Sequence, residues 1–207
     1  MTQPSTETNA TVRHAKLKLA FMFLLPFLAV GLATLVFVTG VGIPKGTTNK
    51  GVLLQPARQI DELPLQTSTG TPWRYETEGA SWGILVAGGA ECTGLCRERM
   101  LLARQVHRTL GRDMGRVKRY YLDTAETIAP ETATYLKREQ QDLRVLRAPE
   151  AAMRALLATT ATDPDPLSSG AIYLVDKRGF VMMYYLPTHT GRAMTDDLRF
   201  LLRNTPD

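Results

Sequence analysis

Length and composition limit this chain to one membrane segment and one domain of ordinary size. Its 207 residues suffice for a real hydrophobic core, so the two cysteines are not needed as a disulfide scaffold. With 25 lysines and arginines against 20 aspartates and glutamates, the net charge is +5. The basic residues are mixed with acids and lack a nucleic-acid motif, which indicates a solvated surface and argues against a nucleic-acid partner.

The first predicted element is a membrane anchor. Residues 19–43 contain no charged side chain, and as a helix they would extend about 37 Å, enough to span a bilayer. A cleaved signal peptide is the alternative, but the apolar run is too long and no small-x-small cleavage site follows it. We therefore predict a cytoplasmic tail at 1–18 and a transmembrane anchor at 19–43. The positive-inside bias supports this orientation only weakly, since three basic residues precede the span and two follow it.

A tether is predicted to lead from the anchor into a folded domain. Residues 44–62 mix turn formers with short apolar runs and are assigned to the tether, and residues 63–207 form the domain. The domain begins with a predicted hairpin whose turn contains Gly70. The apolar run at 82–88 predicts a buried central strand that ends just before the two cysteines.

Strands and helices alternate in the rest of the domain, which predicts an α/β fold. The best helix is 95–110, where inward-facing residues recur every three or four positions. A closing amphipathic helix is predicted to begin at a Thr195 cap. The other predicted elements are a strand at 116–123, a helix at 130–140, an extended segment at 142–148, a helix at 150–160 and two strands joined by a turn at 176–179.

Cys92 and Cys96 are the only cysteines and stand at the predicted start of helix 95–110. Side chains four residues apart lie on nearly one face of a helix, which permits either a disulfide or a shared metal ion. Two thiolates are soft ligands that select Cu(I) or Zn²⁺ over hard cations. Because amide donors at a helix start stabilise a thiolate, Cys92 is expected to be the more acidic and reactive sulfur. The alternative is a pair of ordinary buried thiols.

Three motifs follow one another in a recognisable order: the N-terminal anchor, CTGLC between a strand and a helix, and GAIYLVDKRG before the last hairpin turn. Together they resemble the Sco/SenC family of membrane-anchored copper chaperones for cytochrome oxidase assembly. The resemblance implies a thioredoxin-like fold, in which helices flank a central mixed sheet. It further implies Cu(I) as the bound metal, a cytochrome c oxidase subunit or another assembly factor as partner, and a periplasmic domain held at a bacterial inner membrane.

The sequence departs from the Sco/SenC pattern in two places. That family supplies a third copper ligand, a histidine shortly before the AIYL strand, whereas residues 163–170 read DPDPLSSG. Arg97 stands where the family has a proline after the second cysteine. A thioredoxin-type oxidoreductase, which requires CxxC and a cis-proline before the facing strand, is matched no better.

His189 is the candidate for a replacement ligand. In a thioredoxin-like sheet the last strand ends at the same edge as the cysteine turn, so the LPTHTG segment approaches it; a solvent-exposed loop histidine is the alternative. His107 is three helical turns from Cys96, about 16 Å by helical rise. Met100 at helical spacing is typical of a core residue. The predicted metal ligands are therefore Cys92, Cys96 and His189.

The sequence predicts a membrane-anchored assembly factor that acts through Cys92 and Cys96, by Cu(I) binding or by dithiol chemistry. One alternative is a thiol-disulfide reductase that keeps a partner's copper-site dithiol reduced, in which the two cysteines form the catalytic redox pair. The other alternative is an interaction module that retained the fold without the chemistry.

Overall fold

The structure is a computed structural model that describes residues 7–39, 49–158 and 163–205. The chain divides into two compact units, Met1–Thr47 and Thr48–Asp207. The first unit contains helix α1, Glu7–Thr39, and the second contains the other described elements. The end of the predicted anchor, residues 40–43, lies outside the described residues.

Helix α1 has the length and composition of a membrane span. Its segment Lys18–Thr39 has 22 residues, which corresponds to about 33 Å of helix. The apolar side chains of this segment are exposed all round the helix, and Pro26 lies within it. α1 also extends back to Glu7, so the described part of the predicted cytoplasmic tail is helical. The helix is long and apolar enough to cross a bilayer.

The second unit contains seven strands and four α-helices among the described residues. The strands are β1 (Val52–Gln59), β2 (Gln66–Thr67), β3 (Trp82–Gly88), β4 (Val117–Asp123), β5 (Leu143–Arg147), β6 (Ile172–Val175) and β7 (Phe180–Tyr185). The helices are α2 (Leu95–Thr109), α3 (Pro130–Glu139), α4 (Glu150–Leu157) and α5 (Gly191–Asn204). Short 3₁₀ helices occupy Ile60–Glu62, Tyr75–Glu78 and Gly111–Arg116.

The strands form one mixed sheet in the order β1-β7-β6-β3-β4-β5-β2. β4 and β5 run parallel to the central strand β3, whereas β6 runs antiparallel to it. Because β7 is antiparallel to β6, it runs parallel to β3. The carboxyl ends of β3 and β7 therefore lie at the same sheet edge, about 10 Å apart at ordinary strand spacing, with β6 between them.

Helices cover both faces of this sheet. One face packs against α2, α3 and α5 through Met100, Leu136 and Leu198. The other face packs against α4 through Met153 and Leu157. Every residue of β3 is buried, because both faces of the central strand are covered, and this is why its sequence is a continuous apolar run. The predicted mixed sheet flanked by helices is confirmed.

The structure differs from the sequence predictions at both ends of the domain. Val52–Gln59, which the sequence places in the tether, forms β1 and pairs with β7. The strand was hidden by Pro56, which interrupts the strand pattern; the residue is tolerated because β1 lies at the sheet edge. The last helix begins at Gly191 with Thr190 as its cap, five residues before the predicted cap at Thr195. Gly191 is a poor helix former and concealed that start.

The predicted hairpin near the start of the domain is shorter than expected. Its turn is present, with Gly70 at φ +83° and the Thr67 N–H donating to the Thr71 carbonyl at 2.8 Å. The strand β2, however, has only two residues, and the opposite arm contributes a single bridge at Pro72. One further backbone hydrogen bond joins the two arms beyond this bridge, from the Trp73 N–H to the Leu65 carbonyl at 2.9 Å.

Candidate functional site

The two cysteines lie in the turn that connects β3 to α2. Gly94 is the residue before the helix and has φ +47°, a conformation that glycine adopts readily. Cys92 precedes the helix and Cys96 lies in its first turn. The two residues form a disulfide with their Cα atoms 5.1 Å apart, within the range that disulfides adopt.

The two sulfur-bearing residues differ in burial. Cys92 is 0% exposed and belongs to the core on the α2 face of the sheet, whereas Cys96 is partly exposed and packs against the margin of that core. The Cys92 N–H donates to Oγ1 of buried Thr132 at 3.0 Å. Its carbonyl accepts from Nε of Arg97 at 2.9 Å. The backbone of Cys92 is thus held from α2 and from α3.

Arg97, which replaces the proline of the Sco/SenC pattern, connects these two helices. Its guanidinium forms an ion pair with Glu131 at 2.8 Å and lies over the Tyr135 ring, 4.9 Å from the ring centroid. Glu131 and Tyr135 are one turn apart on α3, so both reach the same guanidinium. The sequence shows the helical spacing of this pair but contains no signal for its contact with a residue 34 positions earlier.

The loop at 163–170, which lacks the histidine of the Sco/SenC pattern, contacts the cysteine motif. Gly170 has φ +65°, and a Cβ built on it would lie 2.7 Å from Cδ2 of Leu95. Leu95 stands between the two cysteines in the sequence and is 38% exposed. Ser169 Oγ accepts from the N–H of Ala171, which fixes the end of the loop at the start of β6. The end of the loop is therefore adjacent to the cysteine turn through Gly170 and Leu95.

His189 lies directly after β7, at the sheet edge that also carries the cysteine turn. Its Nδ1 accepts from the Leu186 N–H at 3.0 Å, and its ring packs edge-on against Tyr185 with centroids 6.0 Å apart. Among residues 7–39, 49–158 and 163–205, no group of three or more His, Cys, Asp or Glu side chains could hold a metal ion. The structure thus joins Cys92 to Cys96 and places His189 at their edge of the sheet without adding it to a three-ligand cluster.

His107 and Met100, which the sequence analysis rejected as metal ligands, make other contacts in the structure. His107 is buried and its Nε2 donates to the carbonyls of Val117 at 2.8 Å and Met114 at 3.1 Å. Burial lowers the pKa of His107 by penalising its charged form, against the raising effect of these two hydrogen bonds. Met100 is fully buried in the core, as its spacing predicted.

The sequence analysis did not single out Asp123, a buried carboxylate at the same edge of the sheet. It is the last residue of β4 and is paired in register with Gly88, the last residue of β3. Burial raises its pKa, which the Ala125 N–H and Arg147, whose Nε lies 3.7 Å from Oδ2, partly offset. The available signal was an aspartate that closes β4 directly after the apolar residues Tyr121 and Leu122.

Comparison with known proteins places this site in a family. A family model described as "Transmembrane-like, thioredoxin-like, C-terminal domain" matches residues 82–205, which include both cysteines and His189. The chain belongs to this family. The match begins at β3 and ends after α5, so it covers most of the folded domain. No curated protein sequence matches the chain.

Solved structures of Sco proteins share the fold at low sequence identity. Apo Sco1 from Thermus thermophilus is 20% identical with a TM-score of 0.55, over 76% of this chain and 100% of that chain. Copper-bound ScoI from Arabidopsis thaliana is 17% identical with a TM-score of 0.53, over 75% and 99% of the two chains. Copper-bound yeast Sco1 is 12% identical with a TM-score of 0.55, over 78% and 97%. The thioredoxin-like fold implied by the Sco/SenC resemblance is confirmed.

Proposed function

We propose that this family member is a membrane-anchored assembly factor that helps mature the copper site of cytochrome c oxidase through Cys92 and Cys96. The observation that carries the proposal is the cysteine pair itself, held between the central strand and α2 of a Sco-like fold. Sco proteins with copper bound share that fold. Its partner would be an oxidase subunit or another assembly factor.

The donor set suits Cu(I) as a transported ion once the disulfide is reduced. The two cysteines are already within bridging distance, and two soft thiolates satisfy a low-coordinate soft ion. His189 is the proposed third ligand, with Nε2 as the coordinating nitrogen because Nδ1 accepts the Leu186 N–H. Thiolates must be deprotonated to bind, so the affinity falls as the pH falls.

A second candidate function is the reduction of a disulfide at a partner's copper site. Two observations favour it: the cysteines form a disulfide, and the loop at 163–170 offers serines where Sco proteins have the ligand histidine. Cys92 and Cys96 would then be a catalytic redox pair that needs no metal. An interaction module without either chemistry is the third reading.

To test the proposal, the reduced full-length chain in detergent is titrated with Cu(I) under anaerobic conditions. A separate titration uses Cu(II). We expect one Cu(I) per chain, loss of binding in Cys92→Ser and Cys96→Ser, and weakened binding in His189→Ala. Thr93→Ala, an exposed change between the cysteines, is the matched control and should bind as the wild type does. A chain that binds neither ion, yet catalyses the reduction of a disulfide substrate by a dithiol, would establish the reductase instead; a chain that does neither would leave the interaction module.

The proposal includes a topology with the domain on the periplasmic side of a bacterial inner membrane and residues 1–18 in the cytoplasm. Alkaline phosphatase, which is active only after export, would be fused after Asp207 and compared with a cytoplasmic fluorescent reporter at the same position. We expect an active phosphatase and a dark reporter. The opposite pattern would reverse the orientation and remove the oxidase role.

A further inference from the structure

The cysteine pair presents only one of its two residues to solvent. Cys92 is 0% exposed, whereas part of Cys96 reaches the surface. The residues that flank Cys96 towards solvent, Thr93 and Leu95, are exposed. Exchange between a thiol and a disulfide requires the attacking sulfur to reach the sulfur that it attacks. The two ends of this disulfide are therefore not equivalent towards an incoming thiol.

We propose that thiol partners attack the Cys96 sulfur, and that the mixed disulfides of this protein form through Cys96 with Cys92 as the resolving cysteine. This inference rests on the proposed thiol chemistry of the pair and assigns a role to each member. It reverses the order expected from position alone, in which Cys92, ahead of the helix, is the reactive sulfur.

The exchange is balanced with a dithiol protein as the reductant. A thiolate of the partner bonds to Cys96 Sγ, the bond between Cys96 and Cys92 breaks, and its electron pair leaves on Cys92 as a thiolate. The partner's second thiolate then attacks its own sulfur in the mixed disulfide and releases Cys96, so the partner is oxidised and this protein is reduced. In the opposite direction, Cys96 attacks a partner disulfide, and Cys92 then attacks Cys96 Sγ and releases the partner's thiolate. Both directions pass through the same mixed disulfide.

Two backbone contacts keep Cys92 in its buried position. Thr132, itself only 2% exposed, accepts the Cys92 N–H, and Arg97 donates to the Cys92 carbonyl. Arg97 is in turn tied to α3 by Glu131. Cys96 has the opposite setting, since the turn that precedes it is exposed at Thr93 and Gly94. Cys96 is therefore the member of the pair that we expect a partner to reach.

The experiment compares single cysteines in the full-length chain, reduced and in detergent. Iodoacetamide is added near pH 8.5, the usual thiol pKa. We expect Cys96 in the Cys92→Ser chain to react on the order of tenfold faster than Cys92 in the Cys96→Ser chain. Glutathione disulfide should likewise form a mixed disulfide with Cys96 and little with Cys92. In denaturant the two rates should become about equal, because burial sets the difference.

Two outcomes would overturn the inference: Cys92 reacting as fast as Cys96 in the folded chains, or a rate difference that persists in denaturant. If a serine variant does not fold, the reduced wild type is labelled with substoichiometric reagent, and tandem mass spectrometry decides which of the two cysteines carries the label. The result is separate from the proposed function, since a chain that fails to bind Cu(I) can still show the asymmetry. Equal reactivity with intact Cu(I) binding would reject this inference alone.

Discussion

Asp197 holds the first residues of the folded domain, and its removal should cost a large share of the domain's stability. The carboxylate is 6% exposed and accepts the Lys50 N–H at 2.9 and 2.8 Å, the Gly51 N–H at 2.9 Å and the Tyr185 hydroxyl at 3.0 Å. Gly51 packs so closely against Tyr185 that a Cβ there would lie 2.7 Å from the ring. The three donors thus share the Asp197 carboxylate as their acceptor.

The expected magnitude follows from the donors that Asp197→Ala leaves behind. A hydrogen bond to a charged group contributes about 1.5–3 kcal/mol. Lys50 is exposed and its N–H regains water, whereas Gly51 and Tyr185 are buried. Each of these two buried donors is taken to lose the lower value, about 1.5 kcal/mol, so we expect the free energy of unfolding to fall by about 3 kcal/mol. Tyr185→Phe removes one of these bonds and should cost about 1.5 kcal/mol.

Urea unfolding of the full-length chain in detergent, followed by the fluorescence of Trp73 and Trp82, measures these changes. Asp196→Ala is the matched control, because Asp196 is half exposed and its ion pair with Arg192 is 4.0 Å long; it should cost less than about 0.5 kcal/mol. If Asp197→Ala were as mild as this control, the carboxylate would not anchor the start of the domain and the reasoning would be refuted.

Three further changes test the surroundings of the site. Thr132→Val removes the acceptor of the Cys92 N–H and should speed alkylation of Cys92 in a Cys96→Ser chain, whereas Thr134→Val, exposed on the same helix, should not. The pKa of His107 is lowered in the folded protein, so the stability that neutral His107 contributes should be complete above the ordinary pKa of 6.5. This stability should be lost as the pH falls through the lowered pKa. Urea midpoints of the wild type and of His107→Gln across this pH range would measure the loss. Ser169→His places an imidazole in the loop that touches the cysteine motif and should add Cu(II) binding to the reduced chain, seen by titration; an unchanged affinity would contradict this.

The helices and central strands were predictable because their local patterns agree with their environment. β3 is buried on both faces and reads as a continuous apolar run, and α2 carries its core residues at helical spacing. The strand β1 and the first turn of α5 escaped prediction, because their local signals oppose the fold. β1 contains Pro56, and α5 begins with a glycine, so tertiary contacts rather than propensity decide both.

The candidate site was predictable in its cysteines and not in their surroundings. A spacing of four residues at a helix start determines that Cys92 and Cys96 can meet. Their unequal burial depends on which residues of α3 pack over the turn, and Thr132 is 40 positions away in the sequence. The same limit applies to His189: the strand order explains why it shares the edge of the cysteine turn, but its hydrogen bond to Leu186 was not foreseeable from the sequence.

The departure from the Sco/SenC pattern at Arg97 bears on how Cys92 is held. A proline at this position has no side-chain donor and could make none of the contacts of Arg97 with Cys92, Glu131 and Tyr135. These contacts bind α3 to the first turn of α2 and hold the Cys92 carbonyl. A buried sulfur that stays beside Cys96 is well placed to resolve a mixed disulfide formed at Cys96. Arg97 thus supports the assignment of Cys92 as the resolving cysteine, while it neither supplies nor removes a copper ligand.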